Sequence, residues 1–99
     1  MDKIFGLIGL AKRAGKLSGG DFAVTASIKD KSAKLVIIAS DASDNTKKSI
    51  KDSCEYYKVD FLEFGSAEEL GRCTGSGVRA SVSIKDAGLA KALKEKIKG

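Results

Sequence analysis

The sequence has no histidine and only two cysteines, Cys54 and Cys73, which do not form a CxxC pair. A structural zinc site needs about four cysteine or histidine ligands, so the chain cannot build one by itself. The absence of histidine also removes the commonest general base and the usual Ser or Cys triad. Disulfides are rare in cytoplasmic proteins, so buried apolar roles fit both thiols better than a bridge. We therefore expect no metal, no cofactor and no enzyme activity.

Long hydrophobic runs are also missing. The longest apolar run, residues 35–39, is far too short to cross a bilayer. The apolar residues 4–11 follow Asp2 and precede Lys12 and Arg13, which is the wrong charge order for a secretory signal peptide. No polybasic block or basic amphipathic anchor indicates a membrane surface. We predict a cytoplasmic protein with no membrane contact.

Length and charge narrow the class further. The 99 residues fit one domain spanning residues 1–99. Lysine and arginine number 18 against 13 acidic residues, which gives a net charge of +5 and a pI near 9.3. Such an excess favours a polyanionic partner, nucleic acid first, with a merely solvated surface as the plain alternative.

Residues 34–48, KLVIIASDASDNTKK, contain the clearest local pattern in the chain. The β-branched run 35–39 is typical of a strand that is covered on both faces. Residues 43–45 are favoured helix-capping types, and a helical pattern follows them. Ligands of open α/β sheets bind outside the carboxyl ends of strands, where Asp41 lies. Asp41 and Asp44 are only weak evidence for magnesium, and helix capping explains Asp44 better.

Periodicity assigns most of the remaining chain to helices and strands. Helices are predicted over about residues 3–14, 21–29, 44–57, 66–73 and after 86, and strands over about 16–18, 35–39, 59–64 and 79–84. Candidate helix caps are Asp2, Asp21, Asp86, and Ser66 with Glu69 as a capping box. Polar Arg79, Ser81 and Ser83 alternate with apolar residues, which predicts a strand with one more polar face. The alternation predicts an α/β fold, a three-layer α/β/α sandwich.

Two glycine-containing segments are candidate ligand loops. Gly19 and Gly20 precede the second predicted helix, where backbone N–H groups are a ready contact for an anion or a base. A tight turn is the simpler interpretation of the same pair. Residues 75–77, Gly-Ser-Gly, are not a nucleotide-binding signature, because they precede a strand instead of joining a strand to a helix.

Several segments together resemble a known family. They are KLVIIASDASDNTKK at 34–48, CEYYKV at 54–59, and ELGR at 69–72 with Gly75 and Arg79. This set resembles the ribosomal proteins of the L7Ae and L30e type, which bind kink-turn RNA. Residues 7–16 also look like the small bacterial YlxQ-like branch. The resemblance spans nearly the whole chain, and it implies an α/β/α sandwich with a four-stranded mixed sheet and no enzyme activity.

The resemblance also implies a binding site made of three loops at one end of the sheet. These are the Gly-led start of the second helix, the acid after the second strand, and the loop before the last strand. An apolar residue of the last loop contacts a flipped-out base in such proteins. Lysines at the rim would add charge. Carried over, the candidate RNA-binding residues are Lys16, Gly19, Gly20, Asp21, Phe22, Thr25, Lys29, Asp41, Ser76, Val78 and Arg79.

The second helix departs from the family pattern, which is Gly-x-Asn-Glu with a lysine one turn later. In one alignment Phe22 and Ala23 replace the amide and the acid, and Ala26 replaces the lysine. In the other, shifted by one residue, Asp21 stands at the amide position and Thr25 at the lysine position. The lysine is missing either way. Because Asn pairs with base edges and Lys with phosphates, we expect weakened or retargeted binding.

Three functional hypotheses follow, in this order. The first is a monomeric, non-catalytic RNA-binding protein that recognises structured RNA such as rRNA or a kink turn, with the ribosome as a candidate partner. The second is a protein-interaction or assembly module on the same fold with weak or no kink-turn binding, which the missing lysine favours. The third is a small phosphate-ligand enzyme that uses the Gly19–Gly20 turn, which the missing histidine and nucleotide motifs disfavour.

Overall fold

A computed structural model of the chain describes residues 3–98. Five helices and four strands alternate along this part of the chain, in the predicted order. They are α1 Lys3–Arg13, β1 Leu17–Gly19, α2 Asp21–Lys29, β2 Leu35–Ile38, α3 Asp44–Tyr57, β3 Phe61–Glu63, α4 Ala67–Cys73, β4 Ser81–Ile84 and α5 Ala87–Lys98. The predicted cap Asp2 lies outside the described residues.

The four strands form one mixed sheet in the order β1-β4-β2-β3, which confirms the predicted sheet. β4 is antiparallel to both β1 and β2, and β2 is parallel to β3. The carboxyl ends of β1, β2 and β3 therefore meet the amino end of β4. We call this the loop end, made of residues 19–22, 39–44, 64–67 and 76–80. We call the opposite end the basic end, made of residues 12–16, 29–34 and 85–86.

Helices cover both faces of the sheet, as the apolar run of β2 predicts. Leu35 and Ile37 pack with residues of α1, α4 and α5. Val36 and Ile38 pack instead with residues of α2 and α3. All four side chains are fully buried, and each such burial stabilises the fold by roughly 1.5–3 kcal/mol. The result is the expected three-layer α/β/α sandwich.

The alternation predicted for the last strand is present, since Val82 and Ile84 pack on one face and Ser83 meets α2 on the other, but the face with the serines is not exposed. Ser81 and Ser83 are fully buried, and β4 begins only at Ser81, so Arg79 precedes the strand. The reason is that α2 covers this face of the sheet. The hydroxyls of Ser27 on α2 and Ser83 lie 2.9 Å apart, so the polar atoms of these two side chains are paired within the core.

Three predicted helix caps are confirmed, and one is wrong. Ser43 and Ser66 accept hydrogen bonds from the backbone N–H three residues on, and Ser66 forms the full capping box. Asp86 accepts such a bond at 2.8 Å at the start of α5. The N-cap of α2 is Gly20 and not Asp21. Asp21 is the first helical residue, where its negative charge complements the helix dipole.

Both cysteines are free thiols; Cys54 is buried and Cys73 is half-buried. Burial raises the pKa of the Cys54 thiol to about 11. Burial also raises the pKa of Cys73. Neither group is a thiolate at neutral pH, so neither is an activated nucleophile. Among residues 3–98, no helix is long and apolar enough to span a bilayer.

Candidate nucleic-acid interface

The three expected loops do meet at the loop end. The N–H of Gly20 donates to the carbonyl of Ser81 at 3.2 Å, which joins the start of α2 to β4. The N–H of Ala39 donates to the carbonyl of Ala80 at 2.8 Å, which joins the end of β2 to the loop before β4. These bonds place the start of α2, the β2–α3 loop and residues 76–80 side by side.

Arg79 lies along the glycine turn. A Cβ atom on Gly19 would lie 3.1 Å from Nε of Arg79, and one on Gly20 would lie 3.2 Å from Nη1. Gly20 also has φ 92° and ψ 151°, a backbone conformation that only glycine adopts readily. Among the described residues Arg79 forms no salt bridge. Its guanidinium therefore offers free donors beside the backbone of the turn.

Two large apolar side chains project from the loop end into solvent. Phe22, in the first turn of α2, is 89% exposed, and Val78 is 66% exposed. Exposed apolar groups beside free hydrogen-bond donors are the combination that unstacked bases require, because every base has an apolar face and polar edges. The same groups can also contact the apolar side chains of a protein.

Helix α4 fixes the backbone that carries Val78. The N–H of Ser76 donates to the carbonyl of Gly71 at 2.7 Å, and that of Arg79 donates to Ala67 at 3.0 Å. A Cβ atom on Gly71 would lie 2.5 Å from the carbonyl oxygen of Gly77. Glycine is therefore required for this close approach. The loop is held in place before any ligand binds, which lowers the ordering cost of binding.

Gly71 is a positioning residue that the motif analysis did not identify. The available signal was a glycine inside a short helical pattern, which lowers helix stability by about 1 kcal/mol relative to alanine and usually has a packing reason.

Asp41 has a partner within the protein. Its Oδ1 accepts a hydrogen bond from the N–H of Ala67 at 2.9 Å, so it links the β2–α3 loop to the start of α4. Asp44 begins α3 and lies in its first turn. Residues 3–98 contain no group of three or more metal-ligating side chains. The acid expected to contact RNA thus has a structural role in shaping the loop end.

A polar cleft of about 200 Å³ extends from the loop end between α2 and α3. Thr25 lies in it, one turn after Asp21, together with Asn45, Thr46, Ser49 and Ile50. Thr25 is half-buried, whereas Asp21 is exposed. Asp21 and Thr25, which stand at the amide and lysine positions in the shifted family alignment, therefore lie in the same cleft.

The structure does not bring Lys16 and Lys29 to this site, so their expected place at its rim is wrong. Lys16 precedes β1, and its carbonyl accepts a hydrogen bond from the N–H of Lys85 at 2.8 Å. Lys29 is the last residue of α2. Both lie at the basic end, because β1 and α2 each run from one end of the sheet to the other.

The loop end has little free positive charge. Lys51 and Lys47 bind Glu63 at 2.6 and 3.3 Å, and hydrogen bonds from these two side chains lower the pKa of that carboxyl. The defined segments of the loop end contain three acids, namely Asp21, Asp41 and Asp44, against one cation, Arg79. Attraction for phosphate is therefore weak here, and contacts to bases are the better chemical match.

The fold and the arrangement of these loops are those of a ribosomal protein family. The model of the ribosomal protein L7Ae/L30e/S12e/Gadd45 family matches residues 2–94, and the chain belongs to this family. It is 45% identical to RNA-binding protein YlxQ of Enterococcus faecium over 97 residues, 98% of this chain and 93% of that protein. It is 43% identical to RNA-binding protein YlxQ of Bacillus subtilis over 89 residues, covering 90% and 89% of the two chains. The family resemblance seen in the sequence is confirmed.

Solved structures confirm the fold. A protein of unknown function from Bacillus halodurans superposes with a TM-score of 0.95 at 34% identity, with full coverage of both chains. A 15.5 kDa RNA-binding protein of Giardia lamblia superposes with a TM-score of 0.81 over 99% of this chain and 90% of its own. At 21% identity the second match supports the fold alone.

Proposed function

We propose that this protein is a non-catalytic RNA-binding protein that uses the loop end to hold unpaired bases of a structured RNA. The observation that carries the proposal is the convergence of exposed Phe22 and Val78 with the Arg79-covered glycine turn, on loops that the fold holds in place. Family membership and relatives that are named RNA-binding proteins support it.

Each part of the loop end has a separate task in this proposal. Phe22 stacks on bases that are splayed out of a bulge or an internal loop, and Val78 makes an apolar contact with such a base. The first N–H groups of α2, after Gly20, donate to a base edge or to a phosphate. Arg79 adds a planar donor group that suits either target.

The finer target is a kink turn or another bulged element, with rRNA and the ribosome as candidate settings. The family lysine is absent from α2, and Asp21 and Thr25 occupy the groove instead. This difference favours an altered RNA preference over loss of binding, because the apolar contacts remain. We further propose that the protein acts as a monomer in the cytoplasm.

A salt titration in a filter-binding assay tests the proposal, with a bulged kink-turn RNA and a straight duplex of equal length. We expect the bulged RNA to bind more tightly. Arg79→Ala lowers both affinity and salt slope, the latter by about one unit if the guanidinium contacts a phosphate. Lys96→Ala is the matched control, because Lys96 is an exposed cation on α5. Equal binding of the two RNAs, or equal losses in the two variants, would contradict a defined base-binding site.

A protein-interaction role is the second candidate, because the exposed apolar pair and the acids of the loop end also suit a protein partner. Crosslinking in cells, followed by sequencing of bound RNA and mass spectrometry of bound protein, separates the two roles. Recovery of specific RNA helices favours the first role, and recovery of protein partners alone favours the second.

A further inference from the structure

Three lysines lie directly next to the ends of three neighbouring strands at the basic end. Lys16 precedes β1, Lys85 follows β4 and Lys34 precedes β2. Backbone hydrogen bonds fix this row, since the N–H of Lys85 donates to Lys16 at 2.8 Å and that of Lys34 donates to Ile84 at 2.7 Å. Neighbouring strands lie about 4.8 Å apart, so the row spans roughly 10 Å.

A fourth lysine is presented beside this row by a tight turn. The Oδ1 of Asp30 accepts a hydrogen bond from the N–H of Ser32 at 2.8 Å. Lys31 lies between them with φ 68°, in the left-handed region that non-glycine residues rarely adopt. Hydrogen bonds from Ser32 lower the pKa of Asp30, and the charge of Lys85 makes a smaller contribution. Because Lys34 follows this turn and its N–H donates to Ile84, the turn lies beside Lys85, and Lys31 is exposed.

Helix stability accounts for only part of the positive charge at the basic end. Lys12, Arg13 and Lys29 lie in the last turns of α1 and α2, where cations complement the helix dipole. The lysines of the row and of the turn lie outside the helices. Among residues 3–98, no salt bridge includes any of these cations. Residues 12–16, 29–34 and 85–86 contain two acids, Asp30 and Asp86, and each accepts a backbone hydrogen bond. Asp60, which precedes β3 at this end of the sheet, is paired with Lys94 at 2.6 Å.

The chemistry of this surface matches a phosphate backbone better than a membrane. Firm attachment to a lipid surface combines cations with apolar side chains that insert into it. Residues 12–16, 29–34 and 85–86 contain none of the large exposed apolar residues of the described chain. Phe22 and Val78 lie at the loop end, Leu10 lies within α1, and the single ring of Tyr56 lies in the last turn of α3. Free lysines without apolar anchors give the salt-dependent, sequence-independent attraction that neutralises phosphates.

We propose that the basic end is a second RNA-binding surface, which contacts the phosphates of a helical segment of the same RNA whose unpaired bases the loop end holds. This inference rests on the proposed function. The protein measures 32 × 26 × 26 Å, so an RNA that reaches both ends must bend around it or present two helical arms. Bases would be read at one end and phosphates at the other.

The test compares two RNAs and two triple variants. The short RNA contains the bulged element alone, and the long RNA adds one further helical turn to a flanking arm. The basic-end variant is Lys16→Gln, Lys34→Gln and Lys85→Gln. The matched control removes the same charge from α5 through Lys91→Gln, Lys96→Gln and Lys98→Gln. Melting temperatures of both variants check that each remains folded.

We expect the natural protein to bind the long RNA about tenfold more tightly than the short RNA at low salt, as about two to three extra phosphate contacts predict. The basic-end variant loses this difference and about two units of salt slope, but it keeps its affinity for the short RNA. The control variant keeps both. Equal losses in the two variants, or no preference for the long RNA, overturn the inference.

Lysine acetylation with mass spectrometry gives a second reading on the natural protein. Lys16, Lys34 and Lys85 are expected to be protected by the long RNA and not by the short RNA, whereas Lys96 reacts in both complexes. Protection of Lys96 to the same degree would mean diffuse attraction. If the protein binds the short RNA but its basic end is not protected by the long one, only this inference fails. If it binds neither RNA, the proposed function fails as well.

Discussion

The two ends of the sheet differ in the kind of side chain they offer to solvent. The loop end exposes Phe22 and Val78 and contains one cation, Arg79. The neighbouring Lys47 and Lys51 are held by Glu63. The basic end exposes lysines outside the helices that form no salt bridge among the described residues. The loop end selects an RNA by shape and apolar contact, and the basic end attracts the RNA by charge. Their separation means that base recognition and phosphate attraction can be altered independently.

The largest effect is expected from a change that unfolds the sheet, because the sheet supports both ends. Ile38→Asp places a carboxylate in the core, where Ile38 is fully buried, and should cost several kcal/mol. Both surfaces would be lost together. Val78→Asp is the control, because Val78 is 66% exposed and its thermal stability should change little. A folded Ile38→Asp variant with an unchanged melting temperature would refute the covered-strand arrangement.

A smaller but specific effect is expected from Gly71→Ala. The new methyl group would lie 2.5 Å from the carbonyl of Gly77, so the loop must move, and we expect a loss of about 1–3 kcal/mol in unfolding free energy. RNA binding at the loop end should fall, because Val78 and Arg79 move with the loop. Gly6→Ala is the matched control, because no atom lies within 4 Å of its Cβ. It should stabilise α1 by roughly 0.5–1 kcal/mol. Similar stability changes in the two variants would argue against a tight contact.

The aromatic contribution of the loop end is tested by Phe22→Ala. Stacking on one base is worth about 1–3 kcal/mol, so affinity for a bulged RNA should fall roughly 5- to 150-fold with an unchanged salt slope. Tyr56→Ala removes another exposed aromatic ring, 78% exposed on α3, and should leave binding unchanged. Equal losses in both variants would remove the distinction between the loop end and other exposed surfaces.

Lys31→Gly is expected to separate charge from backbone strain at the basic end. Glycine adopts the φ of 68° without strain, so unfolding free energy should rise by roughly 0.5–1 kcal/mol while one cation is lost. Lys31→Ala removes the same charge without relieving the backbone. Chemical denaturation and binding to the long RNA measure the two effects. Weaker binding in both variants, with a gain in stability for Lys31→Gly alone, would assign the loss to charge.

The smallest effect concerns the ion pairs that neutralise lysines at the loop end. Hydrogen bonds from Lys51 and Lys47 hold the pKa of Glu63 below its ordinary value of 4.5. The stabilisation that these two ion pairs provide is therefore fully present above pH 4.5 and is lost as the pH falls through the lowered pKa of Glu63. For a partly exposed pair we expect under about 1 kcal/mol. Glu63→Gln should lack this acid-dependent loss, and at neutral pH it should increase the salt slope of RNA binding. An unchanged slope would mean that Lys47 and Lys51 do not face the RNA.

The sequence was most informative where local chemistry decides the structure. The bounds of α3 were predicted correctly, because a capping type, Ser43, precedes the helical pattern. The apolar run of β2 likewise indicated helices on both faces. Ser81 and Ser83 were correctly placed on one face, but their burial was not predicted, because alternation shows which residues share a face and not whether a helix covers it. The burial of that face depends on α2, whose packing is a long-range property.

The candidate site could be predicted only in part, because its residues are brought together by long-range packing. The family resemblance brought together Gly20, Val78 and Arg79, and the strand register places them at one end. Lys16 and Lys29 were misplaced, because their nearness in sequence to the glycine turn says nothing about which end of the sheet they reach. Gly71 acts through contact with a loop that follows it; a glycine within a helical pattern indicates a packing role but does not show which segment it contacts.

The exposure of Phe22 and Val78 also has a consequence for how the free protein behaves in solution. Two exposed apolar side chains at one end form a hydrophobic patch, and such patches promote association between protein molecules that come close. The net charge of +5 keeps molecules apart, but only over a Debye length of about 8 Å at physiological ionic strength. Added salt shortens this range, so the unbound protein is colloidally less stable in concentrated salt than when a ligand covers the patch.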